Sequence, residues 1–543
     1  MGNSSKLNAQ SAAKGVAILS IAMLFVKLMS LLYVPALRAI LKPEGIGVYY
    51  SCYQIFQYFY IIGNSGLPVA ISKIVSEFIA LGNYKDAVKT FKMARAMAFI
   101  VGLLLTLMLF IFAGPLAKSM NSEQSTYALM ALSPTILITT ILCAYKGYFQ
   151  GRGNMTPTAI SQIIEQVFNT AFSLIFAYLL IGYGNEYGAA GGTVGTTLGA
   201  LVAAIYFFRF YKKNKANNIP LGYSHKGIER ASNEEIARKI LFYAIPITIG
   251  IAIQQAGTLV DLKLVKSRLD IAGFDKSNIE ILWGILSQYT VLINVPLALV
   301  SSLSISIVPI ISAHSATKDR KSLRNSVNTS VKASYLITVP SAVGLSVFSL
   351  QILQLLKLDL NISNLLFYGS YVIILMAIVY LQTSILQGLG KVKAVTVFSV
   401  IGLLGKIIAN YVFVAVPQIN ILGAIIGNAI SFLIMLILNQ ILINKSLKIK
   451  VSIIRPIVKP FIASGVMAIV GLLWYNLVYK VFLMLSRGYI ANALSIITTI
   501  FVAVIVYFIS LIYIGGIRKR DLQMIPKKIL RFIPEKLLLK IRQ

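Results

Sequence analysis

The residues of this sequence with the chemistry to handle a charged or polar cargo are ionisable side chains inside long apolar runs: Lys27, Arg38, Lys73, Glu165, Asp261 and Lys406. A charge at the centre of a hydrocarbon layer costs at least about 2.5–3.5 kcal/mol on insertion scales, so each of these should face protein or water. Lys27 lies roughly twelve residues into its run, about 18 Å at 1.5 Å per residue, too deep to snorkel out easily. Two readings fit it: a buried lysine paired with a neighbouring acid or carbonyl, and, as the leading one, a cavity-facing cation for an anionic substrate. Arg38, at the end of the same run, and Asp261, at similar depth in the seventh, fit an outer gate or plain interfacial charges. Lys73 and Glu77 are i, i+4 neighbours expected to pair, with Lys73 also a candidate for substrate loading. Glu165 and Lys406 either meet each other or make separate hydrogen bonds inside their own halves. A titrating Glu165 would instead hold a coupling proton or sodium ion.

Tyr49, Tyr53, Phe56 and Tyr60 follow helical spacing and form one aromatic stripe. Anchoring and packing is its leading reading, with sugar contact by Tyr49 and Tyr53 the alternative. Cys52 and Cys143, the only cysteines, fall in apolar runs and read as small apolar side chains, with no disulfide expected. No Cys/His cluster accompanies His225 and His314, so neither a metal site nor a cofactor is expected. There is no phosphate loop and no nucleophile beside a base, and the chain is not read as an enzyme.

The elements that must position these residues follow from composition. The chain has 543 residues, 57% of them hydrophobic and only 12% charged, against about a quarter charged in soluble domains. Mainly apolar stretches recur from end to end, and about 20 such residues cross a bilayer core. The pattern predicts an all-α polytopic membrane protein of about fourteen transmembrane helices. The first run carries a lysine at its centre and is too long for a signal peptide, so it is read as a retained helix. The net charge of +33 is not a nucleic-acid footprint, because most of the 50 Lys and Arg residues fall in alternate inter-helix segments. That is the positive-inside pattern, with both termini cytoplasmic. The tail from Arg518 to Gln543 alternates basic and apolar residues and is expected to lie on anionic membrane lipids.

The sequence also repeats itself. Gln150, Gly151 and Gly153 recur at a nearly constant offset as Gln387, Gly388 and Gly390; Gly188, Ala189 and Gly192 recur as Gly423, Ala424 and Gly427; Ser76, Ala80 and Lys85 recur as Ser312, Ala316 and Lys321. The repeat aligns Lys406 with Asn169, one turn from Glu165. Six helices per repeat is an even number, so both halves enter the membrane in the same direction. The expected organisation is two pseudo-symmetric six-helix lobes, 1–212 and 239–445, with a cytoplasmic linker 213–238, two further helices in 446–515 and a basic tail 516–543. Such lobes would enclose a cavity between them and rock to give alternating access.

The segments "KLMSLLYVPALRAILKPEGIGVYY", "GLPVAISKIVSE", "KGYFQGRGNMTPTAISQIIEQ", "NVPLALVSSLSISIVPIISA" and "INILGAIIGNAISF" occur in order along the chain. In them the chain resembles the stage V sporulation protein B-like polysaccharide-biosynthesis proteins of the multidrug/oligosaccharidyl-lipid/polysaccharide (MOP) exporter superfamily. The resemblance implies a cavity lined mainly by helices 1, 2, 7 and 8 and export of an anionic lipid-linked sugar of the undecaprenyl-pyrophosphate type across a bacterial cytoplasmic membrane. Lys27 matches a cavity arginine on the first helix of the MurJ-type flippases in that superfamily. Their other cavity arginines have no counterpart here, since helix 8 offers Gln288 and Asn294. The membrane potential, H+ or Na+ would drive transport. An ion-coupled drug or small-solute antiporter and a non-transporting scaffold for envelope or spore assembly are the alternatives.

Overall fold

The computed structural model describes residues 12–214, 230–316, 319–447, 452–485 and 488–516. Most of the expected linker and the basic tail lie outside these segments. The regular structure of the described residues is helical throughout. The chain forms two compact units, residues 1–287 and 288–543.

In the first unit, α1 (Ala12–Asn64) is two limbs that meet at Lys42, whose φ of 59° and ψ of 175° leave the helix. Pro43 disfavours helical backbone at the residue before it, which places the break. The chain folds back there: Leu37 and Tyr49, twelve residues and about 18 Å apart along a straight helix, both come within 3.4 Å of where a Cβ on Gly192 would stand. Residues 12–41 and 43–64 are therefore separate crossings. The second crossing continues into α2 (Gly66–Ala80). Pro68 has no N–H to give the Asn64 carbonyl, and the Cys143 thiol approaches that oxygen at 3.6 Å. The Asn64 amide donates to Tyr60 O and Thr139 Oγ1. Polar side chains thus close the gap that the proline opens.

The remaining helices of this unit are α3 (Tyr84–Ile111), α4 (Ala113–Ser119), α5 (Thr126–Gly151), α6 (Thr156–Leu180), α7 (Asn185–Asn214), α8 (Asn233–Ile271) and the start of α9 (Lys276–Ala316). Ser232 and Glu235 form a capping box that starts α8 just past the linker. The division at residue 287 falls inside α9, so α8 packs on α1, α2 and α3 although the repeat groups it with the second half. Repeat and packing are different relations: one records which helices correspond, the other which ones touch.

The second unit holds the rest of α9, then α10 (Arg320–Val347), α11 (Ser349–Leu355), α12 (Ile362–Gly369), α13 (Val372–Gly388), α14 (Val392–Phe413), α15 (Leu422–Leu447), α16 (Ile454–Leu485) and α17 (Gly488–Tyr513). The last two stand outside the repeat and pack on α10 and α11. Tyr475 donates to Asn492 at 2.8 Å, and Asn492 donates to the Gln351 carbonyl at 3.2 Å.

The repeat reappears atom by atom inside each unit. A Cβ on Gly151 would meet Ser72 O at 2.7 Å and Val75 Cβ at 2.9 Å; one on Gly388 would meet Val308 O at 3.0 Å and Ile311 Cβ at 2.9 Å. Asn83 caps α3 by accepting from Asp86 N, and Asp319 caps α10 by accepting from Ser322 N. Those hydrogen bonds hold the Asp319 carboxyl below its usual pKa. Asn121 and Lys357 both take left-handed backbone, φ 53° and 50°, and Gly153 and Gly390 do so at 73° and 74°. The buried clusters correspond too: Ile71, Val75 and Phe91 in one unit stand where Ile307, Ile311 and Val327 stand in the other.

Ten described helices are long and apolar enough to cross a membrane, and twelve if the pairs α10–α11, bent by 80°, and α12–α13, bent by 54°, are each one crossing. Residues 21–79 count there as one helix but are two crossings by the fold-back at Lys42. The more polar α8, 39 residues long, also has the length to cross. The structure is thus compatible with fourteen crossings.

Candidate functional site

Lys27 lies in the first limb of α1, about 22 Å from Ala12 and about 21 Å from Leu41 along the axis. Its side chain is exposed and, among the described residues, has no hydrogen bond or ion pair. Of the exposed apolar residues of this limb, Ile21, Phe25, Leu28 and Leu32 form one stripe, while Met23, one turn before Lys27, is exposed on the lysine's own side. At 100° per residue that stripe is centred about 130° from Lys27. On the lysine's own face follow Val34, which is buried, and Arg38, which is half-buried. Lys27 is thus exposed at mid-helix about a third of a turn away from the larger apolar stripe and beside the exposed Met23.

The other sequence candidates stand on α1, α2, α6, α8 and α14. Arg38 on α1 and Asp261 on α8 are both half-buried and both partnered. Lys73 on α2 is exposed, 4.0 Å from Glu77 as the i, i+4 spacing implied, and its ammonium also lies 3.8 Å from the centre of the Tyr243 ring on α8. That cation–π contact is absent from any reading of spacing alone. Glu165 on α6 lies 3.7 Å from Lys146 on α5, with 24% and 13% of their side chains exposed. Its ion pair is made inside its own unit, with a partner the sequence did not suggest. Lys406 is half-buried on α14 and is partnered.

The aromatic stripe packs inward. Tyr49 is buried, its hydroxyl 3.3 Å from that of Tyr33 and its ring 4.7 Å from the half-buried Tyr53. Tyr53 shares a hydrogen bond with Thr196, which donates on to Asn169 at 3.1 Å; Ser173 donates to the same amide oxygen at 2.9 Å. This polar seam joins α1, α6 and α7. Tyr49 presents no free surface to a sugar in this state, and packing is what its surroundings show.

Sequence reasoning missed a buried charge cluster. Lys266 on α8 is fully buried and donates to Glu280 on α9 at 2.5 Å and to Ser51 on α1 at 2.7 Å. Ser51 and Ser122 each donate to the Glu280 carboxylate at 3.2 Å, and Ser122 pairs with Ser125 at 2.6 Å. Both charges stand about five residues from the α8–α9 turn, where charge ordinarily marks a helix end at the interface, so nothing in their spacing signalled burial. Removing one partner of such a pair costs about 3–5 kcal/mol. No group of three or more His, Cys, Asp or Glu suited to a metal occurs among the described residues.

A family model described as "Polysaccharide biosynthesis protein" matches residues 12–315, and a MatE model matches residues 286–412. The lipid II flippase MurJ of Bacillus subtilis (strain 168) is 23% identical over 452 residues, 80% of this chain and 82% of that protein. Stage V sporulation protein B of the same organism is 25% identical over 449 residues, 82% of this chain and 86% of that protein. The solved structure of MurJ in an inward closed conformation matches with a TM-score of 0.64 at 17% identity, covering 91% of this chain and 98% of that one. An inward-facing MATE-family transporter of the MOP superfamily matches at 0.63 and 15% identity, covering 80% and 99%. These likenesses show one fold for both kinds of transporter and leave the cargo to the site. The first family match spans more than half of the chain, which therefore belongs to the polysaccharide biosynthesis protein family and shares the fold of the MOP superfamily transporters.

Proposed function

We propose that this protein is an alternating-access flippase that carries an anionic lipid-linked sugar precursor, of the undecaprenyl-pyrophosphate type, outward across a bacterial cytoplasmic membrane. The observation that carries this reading is Lys27: a mid-helix cation, exposed, without a partner among the described residues and on a different side of the helix from the four-residue apolar stripe. An unpaired cation at that depth is costly unless a ligand or water meets it. A pyrophosphate supplies the matching charge while the lipid tail stays in the bilayer. An inside-negative potential favours outward movement of an anion by about 2.3 kcal/mol per charge per 100 mV. The likeness to MurJ and to stage V sporulation protein B supports the cargo class. The positive-inside distribution supports cytoplasmic termini. In a strain that depends on this protein, Lys27→Ala should abolish complementation and Lys27→Arg should retain it. Full activity of Lys27→Ala would sink the reading.

The MatE match over residues 286–412 favours a second reading, an ion-coupled antiporter of small solutes. Sodium- or proton-dependent solute uptake into vesicles, lost in Glu165→Gln, would establish it in place of the first.

A further inference from the structure

The Lys266–Glu280 cluster lies apart from Lys27 and plays no part in the cargo reading above. It joins elements that the repeat assigns to different halves: α8 and α9 open the second repeat, while Ser51 on α1 and Ser122 before α5 belong to the first. The same junction holds the tightest glycine contact among the described residues. A Cβ on Gly47 would land on the Glu280 carbonyl, and one on Gly284 would come within 3.2 Å of Gly47 N. Only glycine fits at such a crossing. Cys52, one residue past Ser51, is completely buried there. A helix crossing of this tightness leaves no room for a water-filled passage, and a fully hydrogen-bonded buried charge pair fixes its register.

We propose that the Lys266–Glu280–Ser51–Ser122 cluster is the latch of an occluding gate, which closes the transport path at the α8–α9 turn when fastened and opens when its bonds to α1 and Ser122 are released. The proposal rests on the transporter reading but not on the identity of the cargo. The alternation of basic segments puts the α8–α9 turn on the outer side. The latch therefore holds the outer end shut while cargo loads from inside. Alternating access requires such an end to have two arrangements of similar free energy, and losing a partner shifts the population toward the open one.

Cys52 is a native reporter. In a Cys143→Ser background it is the only thiol, and its labelling by a membrane-impermeant methanethiosulfonate added from outside reads the gate without any cargo. Labelling should be slow in the parent and faster by about tenfold or more in Lys266→Met, in Glu280→Gln and in Gly47→Ala, with a smaller rise in Ser122→Ala, since labelling scales with the open population. The exchanged pair Lys266→Glu with Glu280→Lys should bring protection back toward the parent. Should a charge variant fail to reach the membrane, Gly47→Ala and Ser122→Ala, which leave both charges in place, decide the matter. Unchanged Cys52 labelling in the variants that reach the membrane would overturn the latch. Loss of lipid-linked cargo transport by the parent with labelling as expected would overturn the cargo reading and leave the latch standing.

Discussion

At the scale of single residues, two lysines of this chain take opposite roles because their surroundings differ. Lys266 is fully buried with a carboxylate and two serines around it, whereas Lys27 is exposed at mid-helix without a partner among the described residues. Saturated hydrogen bonding fits a contact that fastens helices together, and an ammonium with free N–H donors fits a ligand. The Glu165–Lys146 pair belongs with the structural group, being partly buried and made inside one unit. Glu165→Gln should therefore lower stability in detergent by about 1–2 kcal/mol, between the ranges for exposed and buried pairs. A double-mutant cycle with Lys146→Met should give a coupling energy of about 1 kcal/mol and leave cargo transport intact. If transport is lost while the melting temperature is unchanged, Glu165 is a coupling site instead. The depth of Lys27 was legible from sequence because one charge in an apolar run stands out. Lys146 beside Glu165 was not, because residues nineteen positions apart meet only once α5 and α6 are packed.

At the scale of elements, helix ends and helix crossings are set by a few small residues. Gly153 follows α5 in left-handed backbone, and Gly390 does the same after α13. Replacing either by alanine should cost about 1–2 kcal/mol, the penalty of a Cβ in that region, with a lower thermal midpoint and an unchanged fold. A midpoint that does not move would show that these turns relax to another conformation. Gly151 acts differently, since a Cβ there runs into Ser72 O and Val75. Gly151→Leu should prevent α5 from seating on α2, and the protein should fail to accumulate in the membrane. Most helices were legible from apolar length alone. The break at Lys42 was legible through Pro43, while the bend between α10 and α11 was not, because no proline or glycine sits at Phe348, where the two helices meet.

At the scale of the whole molecule, the repeat written in the sequence is also written in caps, turns and cores, from Asn83 and Asp319 to Asn121 and Lys357. Correspondences in backbone conformation at non-glycine residues cannot come from composition, so the two halves share one backbone plan at these positions. What the sequence did not convey is that α8 packs with the helices of the first half, because a repeat records likeness and is silent about contact. This fold serves lipid flippases and drug exporters alike, and Lys27 is the residue that decides between them in this account. The most direct measurement is the movement of a fluorescent undecaprenyl-pyrophosphate saccharide across liposomes holding the purified protein. The account predicts transfer well above protein-free liposomes, faster when the loading side is negative and reduced to background by Lys27→Ala. Transfer no faster than in protein-free liposomes, or equal transfer by Lys27→Ala, would contradict it.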